Sequence, residues 1–354
     1  MTAKPTQQTF WPIVTNKQSL QRRISSLAPA KTTEVYDAYW RFAAERQAIF
    51  FRRLHGDSYP WTDDEILKTY KFTNAYRASD RVSQYLIRNV IYSGSTLTHE
   101  VFFRTILFKL FNKIETWELL KSEFGIPTYT EFRLEEYDRV LTRAMEKSQA
   151  IYSAAYIMPS GSRKKGSTKK HQSHLQLLTQ MMEDNVPERI KEASSMRDAF
   201  SILVSYPMIG DFLAYQYITD INYSEICNFK ETEFVVPGPG AIDGISKCFS
   251  SLGGLSETDI IKLVTDRQSL EFERLGIKFQ DLWGRKLKLI DCQNLFCEIS
   301  KYSRISHPNV IGIAKRTRIK QKYRANFKPI EYWYPPKWGI NDLVLKISKI
   351  NTEL

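Results

Sequence analysis

Ser205-Tyr206-Pro207-Met208-Ile209-Gly210 is the stretch that decides the fold. A Pro-x-x-Gly turn here follows one helical pattern and opens another over residues 211–220. One helix and one loop later comes Val236-Pro237-Gly238-Pro239-Gly240-Ala241-Ile242-Asp243, a Gly-Pro-Gly turn with an acid just inside the next helix. The first pattern reads as a helix-hairpin-helix unit, the second as a helix start beside it. A glycine-centred turn at a helix start lets backbone N–H groups come close to a phosphate. Ile209, Gly210, Gly238 and Gly240 are therefore the expected strand-contacting positions.

Outward from the hairpin the pattern stays helical. Over residues 33–54, Val35, Tyr36, Tyr39, Phe42, Ala43 and Phe50 recur at helical spacing. Thr62-Asp63-Asp64-Glu65 reads as a capping box before Ile66 and Leu67. Further helices are expected over 74–92, 98–111, 131–155, 174–183, 187–204, 256–270 and 291–302. Few segments alternate with period two. The expected class is mainly α, a helical fold around the helix-hairpin-helix unit with little or no sheet. The expected parts are an N-terminal arm (1–30), an N-terminal helical part (31–158), a flexible basic loop (159–172), the helix-hairpin-helix part (173–302) and a basic C-terminal extension (303–354).

Lys plus Arg number 51 against 39 Asp plus Glu, a formal charge of +12, which favours a polyanionic partner such as nucleic acid. The four cysteines, Cys227, Cys248, Cys292 and Cys297, form no Cys-x-x-Cys pair and share no ligand spacing with the histidines. No metal site is expected, and the sparse cysteines suit a reducing compartment. His171 and His174 read as solvated residues of a polar loop. Residues 1–18 lack the apolar core of a signal peptide, and no run of about 18 apolar residues predicts a membrane span. These features imply a cytoplasmic protein (nuclear in a eukaryote), monomeric, with no membrane partner.

Three basic or polar groupings carry chemistry. Gly161-x4-Gly166-Ser167-Thr168 approaches a phosphate-binding loop but lacks the lysine after the second glycine. Lys164 and Lys165 in it are expected to meet DNA phosphates. Arg316, Arg318 and Lys320 belong to a run of six cations in ten residues (315–324), near Tyr323 and Phe327, which suits a nucleic-acid backbone and unstacked bases. Asn74, Arg77, Asp80, Arg81 and Gln84 fall on one side of a helical pattern. They read either as a solvated face or as a pocket wall, whose amides and guanidinium could read base edges. Asp291, Asn294, Glu298 and Lys301, with Gln293 beside them, form a second row that could activate water or bind a base. Intrahelical pairing of Glu298 with Lys301 is the plainer alternative.

Residues 61–64 and 72–82 (Phe72-Thr73-Asn74-Ala75-Tyr76-Arg77-Ala78-Ser79-Asp80-Arg81-Val82) resemble the opening motif of a helical family. It is named for the helical domain of 5-hydroxymethyl-deoxyuridine DNA kinase and for alpha-glutamyl/putrescinyl thymine pyrophosphorylase. Gly238-Pro239-Gly240-Ala241, Asp291-x-Gln293-Asn294-x-x-Cys297-Glu298 and Pro335-Pro336-Lys337-Trp338-Gly339 extend the resemblance over roughly residues 35–340. It implies a relative of helix-hairpin-helix DNA glycosylases and double-stranded DNA with a modified base as substrate. The family's kinases carry a P-loop, which makes phosphoryl transfer by this chain doubtful on sequence. The expected function is hydrolysis of the N-glycosidic bond of an extruded, hypermodified pyrimidine, leaving an abasic site, as an antiviral glycosylase that needs no cofactor. Asp243 is the first choice of catalytic carboxylate, then Glu233, then Asp291 and Glu298. Lys301 as a Schiff-base nucleophile is a variant of that scheme. The alternatives are a transferase or pyrophosphorylase acting on 5-hydroxymethyl pyrimidines, and a non-catalytic reader of modified DNA.

Overall fold

The computed structural model describes residues 29–160, 169–327 and 331–350. Fourteen α-helices and a two-stranded sheet make it a mainly α protein among the described residues. The strands, β1 (Lys31–Thr32) and β2 (Phe249–Ser251), are antiparallel, with Lys31 opposite Ser251 and Thr32 opposite Phe249. None of the described helices is long and apolar enough to cross a membrane.

Helix α1 (Glu34–Leu54) starts where the Thr33 hydroxyl accepts the Val35 N–H. Its buried face carries Tyr39, Trp40, Ala43, Gln47 and Phe50. Helix α2 (Glu65–Thr69) is capped by Asp64, which accepts the Ile66 and Leu67 N–H groups at 2.8 and 3.0 Å. The cap is thus Asp64, and the expected Thr62 box does not form.

The expected helix over 74–92 is broken into a 3-10 turn (Arg77–Ser79), a short α3 (Arg81–Leu86) and a π-helical turn (Ile87–Ile91). Side chains that bond locally to the backbone explain the break. Asn74 Nδ2 donates to the Ser79 carbonyl, and Asp80 Oδ1 accepts the Asn74 N–H.

Helix α4 (Thr98–Phe111) is buried on nearly every side, as its sequence predicts. Helices α5 (Ile114–Phe124) and α6 (Leu134–Glu146) follow, the latter far shorter than the expected 131–155. Helix α7 (Lys170–Glu183) carries His171 and His174, both fully buried, which corrects the solvated-loop reading. His171 Nε2 meets Asp138 at 2.6 Å, and His174 bridges the Tyr152 hydroxyl and the Pro159 carbonyl. The expected helix over 187–204 divides into α8 (Val186–Lys191) and α9 (Met196–Val204), because Ser195 caps the second by accepting from Asp198.

Helix α9 packs on α10 (Asp211–Ile221) through the turn quoted first. Helix α11 (Pro239–Cys248) then lies against α13 (Leu289–Ser306) more closely than any other pair, with α12 (Glu257–Arg274) beside them. Any side chain at Gly244 would collide with the Phe296 carbonyl, so glycine permits the contact. Helix α14 (Asn341–Ile350) ends the described chain.

Candidate active site

The 72–80 segment is held between α1 and α13, and two charged clusters sit at its ends. The deeper one centres on Arg77, only 2% exposed. Its guanidinium forks onto both oxygens of Asp220 on α10, at 2.6 and 3.0 Å. Its Nε donates to Gln216, and its terminal nitrogen also reaches the Tyr223 hydroxyl. Lys109 of α4 shares Asp220 Oδ2 with Arg77, at 3.0 Å, and donates to Asn112. Burial works against the Asp220 charge, yet Arg77 and Lys109 outweigh it and hold that carboxyl below its ordinary range. Asp291, 4% exposed, accepts the Arg77 N–H at 2.8 Å and the Lys288 N–H at 2.9 Å. Burial still pushes its carboxyl upward. Gln293 extends the network, accepting from Gln216 and donating to the Cys297 sulfur.

The shallower cluster lies at the other side of the segment. Arg46 of α1 donates to the Thr73 carbonyl at 2.8 Å and to Asn74 Oδ1 at 3.1 Å. Glu298 of α13 accepts the Thr73 N–H at 3.2 Å and pairs with Lys301 at 2.7 Å. The Lys301 ammonium also lies over the Phe72 ring, 4.5 Å from its centre. Asp80 belongs to this group: one of its oxygens takes the Asn74 N–H, and the other has no hydrogen-bond partner among the described residues. Desolvation, with the Glu298 charge adding to it, raises the Asp80 carboxyl to about 7 against the pull of Arg46 and Arg77. The residue as a whole is only partly buried. A carboxylate poised near neutrality, with a free oxygen and cations beside it, can accept a proton from a bound hydroxyl.

The remaining sequence-selected residues are scattered. Asp243 is 3% exposed; it accepts the Ala314 N–H at 2.7 Å and the Ser300 hydroxyl, under the 312–314 backbone. That is the geometry of an anchor for the C-terminal extension. Glu233 is exposed and paired with Lys230. Gln84 is spent on the Ala78 carbonyl and the Trp333 N–H, and Asn294 is buried, whereas Arg81 is exposed. Gly210 is exposed at the start of α10, and a Cβ there would meet nothing within 4 Å, while Ile209 is buried. The left-handed residue of that hairpin is Met208, with φ of 67°. Gly238 and Gly240 are close-approach positions inside the protein: a Cβ at Gly238 would lie 2.5 Å from the Phe212 ring and one at Gly240 3.0 Å from the Cys297 sulfur. Arg316, Arg318 and Lys320 are exposed. Lys164 and Lys165 lie outside the described residues.

Sequence reasoning missed Arg46, Lys109, Gln216, Asp220 and Tyr223. The signal for Lys109 and Asp220 was a charge set among apolar residues near the end of a largely buried helix, which is sustained only with a buried partner.

The model of the 5-hmdU DNA kinase helical domain matches residues 33–312, a span containing both clusters. The chain belongs to this family. A curated relative, the 5-hmdU DNA kinase of Bacillus phage SP10, is 26% identical over 326 residues. The match covers 87% of this chain and 51% of the phage protein, so the chain spans about half the length of that relative. No solved structure matches. These findings correct the expected glycosylase. Family and relative are both named for a kinase, a phosphoryl transferase and not a hydrolase, and the alternative of a DNA-base-modifying transferase fits them better.

Proposed function

We propose that this family member acts on the 5-hydroxymethyl group of a pyrimidine in DNA, as a transferase and not as a hydrolase. The observation that carries the reading is Asp80: a carboxyl raised to about 7 with one uncommitted oxygen, with the charges of Arg46 and Glu298 acting on it and Lys301 paired to Glu298. The chemistry of a 5-hydroxymethyl group asks for such a residue. Its alcohol is a weak nucleophile until a base takes its proton. Phosphoryl transfer is adopted despite the incomplete phosphate-binding pattern at 161–168, because the family and the phage relative are named for it: the hydroxymethyl oxygen forms a bond to the donor's terminal phosphorus. The bond from that phosphorus to the bridging oxygen breaks, nucleoside diphosphate leaves, and the hydroxyl proton goes to Asp80. In this reading Arg46 and Lys301 balance negative charge on the transferred group. The base must leave the stack to reach a half-buried carboxyl. The net charge of +12 and the open Gly210 turn support a DNA partner.

The test is a duplex bearing one 5-hydroxymethyl-deoxyuridine, incubated with the protein, ATP and magnesium, then digested to nucleosides for mass spectrometry. A phosphorylated nucleoside at that position is the expected result. An unchanged nucleoside overturns the reading, and loss of the base restores the hydrolase.

A further inference from the structure

The C-terminal extension carries a pattern that its composition conceals. Arg316, Arg318, Lys320, Lys322 and Arg324 occupy every second position, and all five are exposed. Of the four intervening residues Ile319 is buried and Tyr323 partly so, while Thr317 and Gln321 are exposed. Ile319 and Tyr323 turn toward the protein and anchor the segment, while the cations turn to solvent. Backbone hydrogen bonds fix the segment in place: Tyr323 N–H donates to the Thr69 carbonyl at 2.9 Å, and Lys71 N–H to the Gln321 carbonyl at 3.1 Å. Tyr70 and Lys322 form an isolated antiparallel bridge, with the Lys322 ammonium 4.2 Å from the Tyr70 ring centre. No ion pair among the described residues neutralises any of the five cations.

Aromatic rings stand where this row ends. Phe327 is 70% exposed and Tyr59 44%, and their rings meet edge to face at 5.8 Å. Trp61 backs both, with the Arg53 guanidinium over its ring at 4.8 Å, and Arg53 also donates to the Asn326 carbonyl. Phe327 and Tyr59 together form an open aromatic patch on a support of packed rings, the kind of surface that marks a binding site.

We infer that this edge binds single-stranded DNA: the cation row tracks successive phosphates, and Phe327 with Tyr59 stacks an unpaired base. Where the segment is extended, as at the bridge between Tyr70 and Lys322, every second residue repeats at roughly 6.6 Å, a spacing that suits the phosphates of a stretched single strand. Duplex phosphates curve away from a straight row, and paired bases offer no face to Phe327. This rests on the proposed DNA partner and deepens it, since extruding a base leaves unpaired nucleotides to be held.

The experiment uses the full chain and unmodified DNA, so its outcome is independent of the proposed transfer reaction. Fluorescence anisotropy compares a dye-labelled twelve-nucleotide single strand with the blunt duplex of the same sequence across a salt series. Wild type should bind the single strand more tightly. Phe327→Ala should weaken single-strand binding about tenfold while leaving duplex binding unchanged. The triple variant Arg316→Ser, Arg318→Ser, Lys320→Ser should lower the single-strand salt slope by about 2, at about 0.7 per lost phosphate contact. All the substituted side chains are exposed, and circular dichroism checks that each variant is folded. Duplex binding as tight as single-strand binding overturns the inference. So does a Phe327→Ala effect that is absent or equal on both DNAs, or an unaltered salt slope in the triple variant.

Discussion

The two charged clusters beside the 72–80 segment are built from the same residue types and serve different ends. Around Arg77 every charge is matched: the guanidinium spans Asp220, Lys109 completes that carboxylate, and Asp291 is filled by two backbone N–H groups. Around Asp80 the matching is incomplete, with one carboxyl oxygen left without a hydrogen bond in a residue only partly buried. A satisfied buried network fixes geometry, tying α4, α10, α13 and the 3-10 turn into one body. An unsatisfied half-buried one keeps capacity for a ligand or a proton. The deep cluster is the architecture and the shallow one the candidate chemistry.

Breaking the deep cluster should give the largest effect. Asp220→Asn leaves Arg77 and Lys109 facing each other in the interior without their counter-charge. Removing one partner of a buried pair costs roughly 3–5 kcal/mol, so the urea midpoint should fall sharply. An unmoved midpoint would show the cluster is not structural. Asp80→Asn should behave oppositely. Asparagine can still accept the Asn74 N–H, so the fold should hold, while phosphoryl transfer should drop by roughly 10²–10⁴-fold, the usual contribution of a general base. Retained activity would remove Asp80 from the chemistry.

The pH dependence sharpens the contrast. Asp80 is raised in the fold from the ordinary carboxyl value to about 7. Between about 4 and about 7 the folded state therefore binds more protons than the unfolded chain, and this group's contribution to stability falls as pH rises through that window. Activity should rise over its upper part, as Asp80 ionises near 7. His174 runs the other way. Burial lowers it to about 4, so below about 6.5 the unfolded chain takes the proton first and stability is lost as pH falls toward 4. Urea titrations at several pH values should show the first trend vanish in Asp80→Asn and the second in His174→Gln.

These contrasts were only partly legible in the chain. The runs 33–54 and 98–111 declared themselves as helices because their apolar residues recur without interruption, and α1 and α4 fall there. The run 74–92 misled because Asn74 and Asp80 look like members of a helical stripe, while their side chains bond the backbone instead. Arg77 and Asp291 stood out in the sequence, but as members of two separate rows. Asp220, 143 residues beyond Arg77, is joined to it by tertiary packing that no local period encodes. Asp243 read as a catalytic acid because it follows a Gly-Pro-Gly turn. Only the fold shows the 312–314 backbone closing over it. The alternation in the extension was present in the sequence throughout, hidden inside a count of cations.

The smallest expected effect belongs to Glu233, chosen from the sequence because it precedes the Gly-Pro-Gly turn. Its carboxylate is 59% exposed, paired with Lys230 three residues earlier at 3.1 Å. An ion pair this open contributes about 0–1 kcal/mol, and it belongs to neither cluster. Glu233→Gln should therefore shift the urea midpoint by no more than experimental scatter and leave transfer to 5-hydroxymethyl DNA at the wild-type rate. A tenfold loss of transfer with unchanged stability would break the assignment of chemistry to the shallow cluster, because it would put a working carboxylate outside both.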